Sequence, residues 1–106
     1  TGLPPVMNRV LLQAQVVERA ALRYTPAGLP AVDVRLAHAS QVEHAGQMRQ
    51  VSCEIHATAV DGVATQLNRI AVGQIVDVVG FLGKQRNGRG VMLHIIELTP
   101  HPASTD

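Results

Sequence analysis

At 106 residues, with 46% hydrophobic and 16% charged content, the chain has the size and composition of one folded domain and not of a disordered segment. A formal net charge of only +1 excludes a polycation, so any affinity for nucleic acid must come from local clusters of Lys and Arg. With one Tyr, one Phe and no Trp, the core has to be built from Val, Leu, Ile, Ala and Met.

The dominant rhythm is period two, interrupted by turn residues every ten or so positions, which predicts a small all-β domain. A first strand is expected over 8–19, with Val10, Leu12, Ala14 and Val16 on one face. Residues 24–30 (YTPAGLP) read as a turn, because Pro presets φ and Gly accepts positive φ. Arg23 and Tyr24 are expected to be structural there, holding the entry into the second strand. That strand, over 31–39, alternates Val32, Val34 and Leu36 with Asp33 and Arg35, and His38 continues the apolar face. Residues 40–46 are polar and read as a hairpin loop.

A third strand follows over 47–56, with Val51, Cys53 and Ile55 inward and Ser52, Glu54 and His56 outward. Between 58 and 70 the period changes. Val60, Val63, Ala64, Leu67 and Ile70 have helical spacing, Asp61 fits the first turn, and Gly73 ends the segment. The fourth strand, 75–82, is apolar on nearly both faces, which assigns Phe81 to the core. The fifth runs over 91–98, and Asn87-Gly88 between them is a hairpin-turn signal. Residues 1–7 read as an N-terminal extension, with Met7 a plausible alternative start. The domain proper is expected over 8–99 and a loose tail over 100–106, Thr99 already lacking an apolar anchor.

Three strands, a short helix and two strands is the order of the five-stranded oligonucleotide-binding (OB) barrel, an all-β Greek-key fold with its helix between strands three and four. In that barrel the hairpin joining the last two strands flanks the nucleic-acid face. Here the hairpin carries Lys84, Arg86 and Arg89, three cations in six residues. A basic loop so placed can follow phosphates without reading bases. The same charges also suit an ordinary solvated hairpin guarding a sheet edge. Arg49 on the third strand and Arg35 on the second add cations near that face. Single-strand binders stack bases on aromatic rings, and this sheet has none between Val32 and His56.

Other chemistries find little footing. Five scattered His residues and one Cys give no four-ligand constellation, and Cys53 and His56 point to opposite faces of one strand, so neither a metal nor another cofactor is expected. An inward Cys53 without a base is no nucleophile, and no close carboxylate pair exists for acid–base work, so no enzymatic activity is expected. A single cysteine forms no intrachain disulfide and suits a reducing compartment. With no apolar run of membrane length and no leader-like start, the expected localisation is cytoplasmic.

Several stretches resemble the primosomal replication protein N (PriB) family, relatives of the single-stranded DNA-binding protein SSB. They are 8–12 (NRVLL), 22–30 (LRYTPAGLP), 36–38 (LAH), 45–50 (AGQMRQ) with Cys53, 70–73 (IAVG), 79–82 (VGFL) and 91–94 (VMLH). The RYTPxG turn is shared with SSB itself. The resemblance covers about 8–98 and implies a homodimer of barrels that binds single-stranded DNA during replication restart, between the PriA helicase and DnaT. It carries DNA contact onto Lys84, Arg86 and Arg89, in a shorter hairpin, and onto Arg49. The family's strand-three aromatics fall on Gln47 and Ser52. Two alternatives stay open: a short SSB-like protein that coats single strands generally, and an OB-fold protein-interaction module with weak DNA binding.

Overall fold

The computed structural model describes residues 6–85 and 88–101. Six strands and one helix follow in chain order: β1 (Val10–Arg19), β2 (Arg23–Tyr24), β3 (Pro30–His44), β4 (Gln47–Val60), α1 (Gly62–Leu67), β5 (Ile75–Lys84) and β6 (Val91–Pro100). Five are long. The two-residue β2 merely extends the sheet, Arg23 opposite Ala31 and Tyr24 opposite Pro30.

The sheet order is β1-β5-β6-β4-β3-β2, and a further β1–β3 pairing closes it into a barrel. One strand accomplishes the closure by serving two neighbours. β1 pairs with β5 from Val10 to Gln15, then with β3 from Gln15 to Arg19. The register slips between Val16 and Glu18, so Val17 is an extra residue that bends the strand from one partner to the other. This is the closed five-strand OB architecture expected from the element order.

Among the described residues the interior is aliphatic apart from Thr58. Leu36, Leu67 and Leu93 are its largest fully buried side chains, with Val16, Val32, Val76 and Val78 around them. The alternation expected for β1 and β3 is the observed one, and in β5 Val76, Val78 and Gly80 are the buried positions. Gly80 is required by a close approach, since a Cβ there would sit 2.2 Å from the His94 carbonyl oxygen and 3.1 Å from Leu93 Cδ1.

Four local expectations change. Residues 40–44 are strand and not loop, so the β3–β4 ribbon runs on to a two-residue turn at Ala45 and Gly46, both at positive φ (55° and 79°). That conformation is the primed hairpin turn whose twist matches its strands. From His38 to His44 the ribbon projects by roughly 20 Å at the usual strand rise, and every residue from 41 to 50 is exposed. Cys53 is therefore exposed, although its strand face is the one that turns inward further along.

Second, the helix is shorter than 58–70: Thr58, Ala59 and Val60 end β4, and only six residues are helical. Asp61 makes no side-chain cap and takes φ 67°, while its amide donates to the Pro30 carbonyl at 2.8 Å. Third, Thr99 and Pro100 belong to β6, and the His101 amide donates to the Ile75 carbonyl at 2.9 Å, so the chain is tied down beyond the expected domain boundary. Residues 102–106, most of the expected tail, lie outside the described residues. Fourth, Phe81 faces outward with 39% of its surface exposed. In β5 the inward positions are Val76, Val78 and Gly80, which leaves Phe81 on the opposite face.

Candidate nucleic-acid interface

The barrel has two unlike ends because β4 and β6 run parallel, Ala57 opposite Leu93 and Ala59 opposite Ile95. The segments that precede parallel strands lie at the same end of a sheet. Hence the β3–β4 ribbon and the β5–β6 hairpin both leave the barrel at one end, and α1, which follows β4, covers the other. This brings Arg49, near the ribbon tip, and Lys84 and Arg89, in the hairpin, to the same end of the molecule; all three are exposed.

The hairpin itself is paired up to Lys84 opposite Val91, then closed by the Gln85 amide donating to the Gly90 carbonyl at 3.3 Å. Arg86 and Asn87 lie outside the described residues, so the expected site residue Arg86 and the expected Asn87-Gly88 turn are not located.

Arg35 is differently placed. Its Nη1 lies 3.2 Å from Glu18 Oε1 and its Nε 3.3 Å from Glu54 Oε1, the latter an ion pair without hydrogen-bond alignment. Glu18 faces it from β1 and Glu54 from β4, so carboxylates on two neighbouring strands already occupy this guanidinium. A phosphate would have to compete with both. Pairing of this kind depends on register and is invisible in the order of residues along one strand.

Arg23 is likewise internal in role. Its Nη2 lies 3.2 Å from Asp33 Oδ1, across the β2–β3 pair. The turn after it is held by backbone and hydroxyl groups: Thr25 N to the Leu29 carbonyl, 2.8 Å; Gly28 N to the Thr25 carbonyl, 2.8 Å; and Leu29 N to Thr25 Oγ1, 3.2 Å. Tyr24, at 69% exposure, contributes its backbone to β2 while its ring faces solvent. The structural expectation therefore describes Arg23 well and the Tyr24 ring poorly.

Sequence reasoning missed one feature of this face. Phe81 on β5 and His94 on β6 are opposite each other and stack in parallel, ring centroids 5.0 Å apart and planes inclined by 5°. The signal was available in β5, where strict alternation from Val76 puts Phe81 outside.

A cleft of about 460 Å³ lies where the ribbon diverges from β1, lined by Gln13, Gln15, Ala37, His38, Ser52 and Ile75 among others. Along its floor, the His38 ring approaches the Gln13 carbonyl at 2.7 Å and Ser40 Oγ at 2.8 Å. The β3-facing edge of β1 has no strand partner before Gln15 among the described residues. Among those residues, no three His, Cys, Asp or Glu side chains are grouped to hold a metal ion, and no helix is long and apolar enough to cross a membrane.

Known proteins are similar to this chain in sequence and fold. Residues 8–97 match the family described as "Another single-strand binding protein family". The replication restart protein PriB of Bordetella pertussis is 41% identical over 90 residues, 84% of each chain. The crystallographically characterised PriB of Ralstonia solanacearum superposes with a TM-score of 0.83 at 40% identity, over 92% of this chain and 100% of that one. The single-stranded DNA binding protein of Thermus aquaticus superposes at 0.74 with 26% identity, over 91% of this chain and 50% of that one. With this identity spread over the whole barrel, the chain belongs to the replication restart protein PriB family, built on the single-strand-binding OB fold.

Proposed function

We propose that this chain is a non-enzymatic, single-stranded-DNA-binding accessory protein of replication restart that works in the cytoplasm. The observation that carries this reading is the placement of exposed Arg49, Lys84 and Arg89 on two hairpins at one end of a PriB-family barrel. Arg86 joins them by sequence, and Arg35 is a contact only if DNA displaces its two carboxylates. Phosphate neutralisation by such a cluster gives affinity without sequence preference. The protein partners proposed by resemblance are the PriA helicase and DnaT, with this chain bridging them and the DNA.

Labelled dT oligonucleotides titrated by fluorescence anisotropy test the DNA half of the reading. Saturable binding at low salt that weakens steeply at high salt is expected, with little difference among pyrimidine sequences. A competing reading as a protein-interaction barrel draws on one observation, the lack of any aromatic residue on the ribbon from Ser40 to Cys53. No binding even at low salt would favour it.

A homodimer is the proposed assembly. The β3-facing edge of β1 before Gln15 presents backbone groups that a second copy's β1 can pair, and an isologous pairing closes on itself. The Gln13 carbonyl there is already approached by the His38 side chain. Sedimentation equilibrium at micromolar concentration is expected to return twice the chain mass; a monomer would refute the assembly.

A further inference from the structure

The chain's one Phe is spent on the surface, although the core has no aromatic to fill it. Its ring is held in a particular way. His94 stacks against Phe81 in parallel, and the His94 ring lies over Gly83, where a Cβ would come within 2.8 Å of Nε2 and 2.9 Å of Cδ2. Gly83 thus leaves room for the imidazole to lie against β5 beside Phe81. An apolar ring and a polar ring stacked face to face on the outside of a sheet form a two-ring platform.

The platform opens into a cleft of about 310 Å³ whose other walls include Val60, Val63 and Ile96. That is at the low end of the volumes that hold small flat ligands, about 300–1,000 Å³. Ile96 is the extra residue where the β5–β6 register slips, and it stands 51% exposed at the cleft edge.

Charge decides what the cleft suits. Lys84 is three residues from Phe81 on the same strand, roughly 10 Å away at strand rise, and Arg89 follows in the same hairpin. On the other side, β1 pairs with β5 up to Val10 opposite Gly80, and Asn8 Nδ2 donates to the Leu82 carbonyl at 2.8 Å. Arg9, exposed, is the one residue between those two anchors. A ring platform with exposed Arg9 to one side and exposed Lys84 at the strand end, on the opposite parity, matches a polyanion that carries flat bases.

We infer that Phe81 and His94 form a base-stacking site, taking one nucleobase of single-stranded DNA while Arg9 and Lys84 meet its flanking phosphates. The site replaces on β5 and β6 the stacking that Gln47 and Ser52 do not supply on β4. It rests on the single-strand-binding role proposed above, and it adds a base-dependent component to binding that hairpin cations alone would not give.

Two measurements test it. The first uses the wild-type protein and a dT oligonucleotide carrying 5-iododeoxyuridine, photo-crosslinked and digested with trypsin. Arg69, Lys84 and Arg89 place Phe81 in the peptide 70–84 and His94 in the peptide 90–106, separate from Tyr24 in 24–35. Crosslinks at Phe81 or His94 are expected. The second compares affinity for dT with that for an abasic strand of equal length. Wild type is expected to prefer dT by about fivefold or more, the lower end of what a stacked base contributes. Phe81→Leu, which keeps an apolar side chain on an exposed site, and Gly83→Ala, which displaces the His94 ring, should each erase most of that preference and spare the salt dependence.

Salt-dependent binding that is equal for dT and abasic strands, with crosslinks only elsewhere, would overturn the stacking site and leave the single-strand-binding role standing. Binding of neither strand would overturn both. Full dT preference in both variants would refute the inference.

Discussion

Replacing Lys84, Arg86 and Arg89 together with Ala is expected to remove most single-stranded DNA affinity while leaving the barrel folded. These residues are the densest positive charge in a chain whose net charge is only +1, so no general cationic surface remains to compensate. Counterion release gives a slope of about −0.7 per neutralised single-strand phosphate in log K against log salt. Three cations from each of two protomers give at most roughly −4 by that rule, which is a loss of roughly two and a half decades between 50 and 200 mM salt. The triple variant should fall to a slope of about −1, near the level of the remaining scattered cations. Lys84 and Arg89 are exposed, so thermal stability should move little. Anisotropy titrations of both proteins across a salt series, with a melting curve for each, make the comparison. Strong binding that survives both high salt and the triple change would show that the hairpin is not the main contact.

Leu93→Ala is expected to cost about 2–5 kcal/mol of stability, as truncation of a fully buried Leu does. Few side chains supply the volume of this core, because it contains no aromatic ring, and Leu93 is one of three fully buried leucines. Natural domains have only about 5–15 kcal/mol to lose. For a domain of about 100 residues, a loss near 3 kcal/mol lowers Tm by roughly 12–24 °C. The vacancy cannot be refilled from the facing strand. Leu93 Cδ1 lies 3.1 Å from where a Gly80 Cβ would stand, yet the His94 carbonyl oxygen would be only 2.2 Å from the same atom. Gly80→Ala should therefore deepen the loss in the Leu93→Ala background instead of relieving it. Urea unfolding at one fixed protein concentration is the measurement, since dimerisation would otherwise shift the midpoint by mass action. A double variant more stable than Leu93→Ala would show that the backbone at His94 can yield.

What the order of residues determined by itself was the alternation of apolar side chains and the change of period after β4. Those suffice for five main strands, one helix and their sequence, because period two and period 3.6 sort side chains onto faces whatever the rest of the chain does. They also predict much of the core: Ala14 and Val16, Val32, Val34 and Leu36, and Ala64, Leu67 and Ile70 after the change of period. The basic hairpin was legible for a similarly local reason, three cations beside a turn signal.

Only the tertiary structure decided how far the strands run beyond the core. The ribbon from 38 to 53 is mostly polar on both faces, so its pairing leaves no alternation to read, and Cys53 is exposed although its parity is that of buried residues. Partnership across strands was equally hidden. Arg35 is held by Glu18 and Glu54, which are 17 residues before it and 19 after it in the chain. The parallel pairing of β4 with β6 is what collects Arg49, Lys84 and Arg89 at one end. Parity along β5 settles only that Phe81 points outward; that it meets His94 over Gly83 follows from the register of β5 on β6. A single strand encodes which way its side chains point, but which residues stand beside them is decided only when its neighbours and their register are chosen.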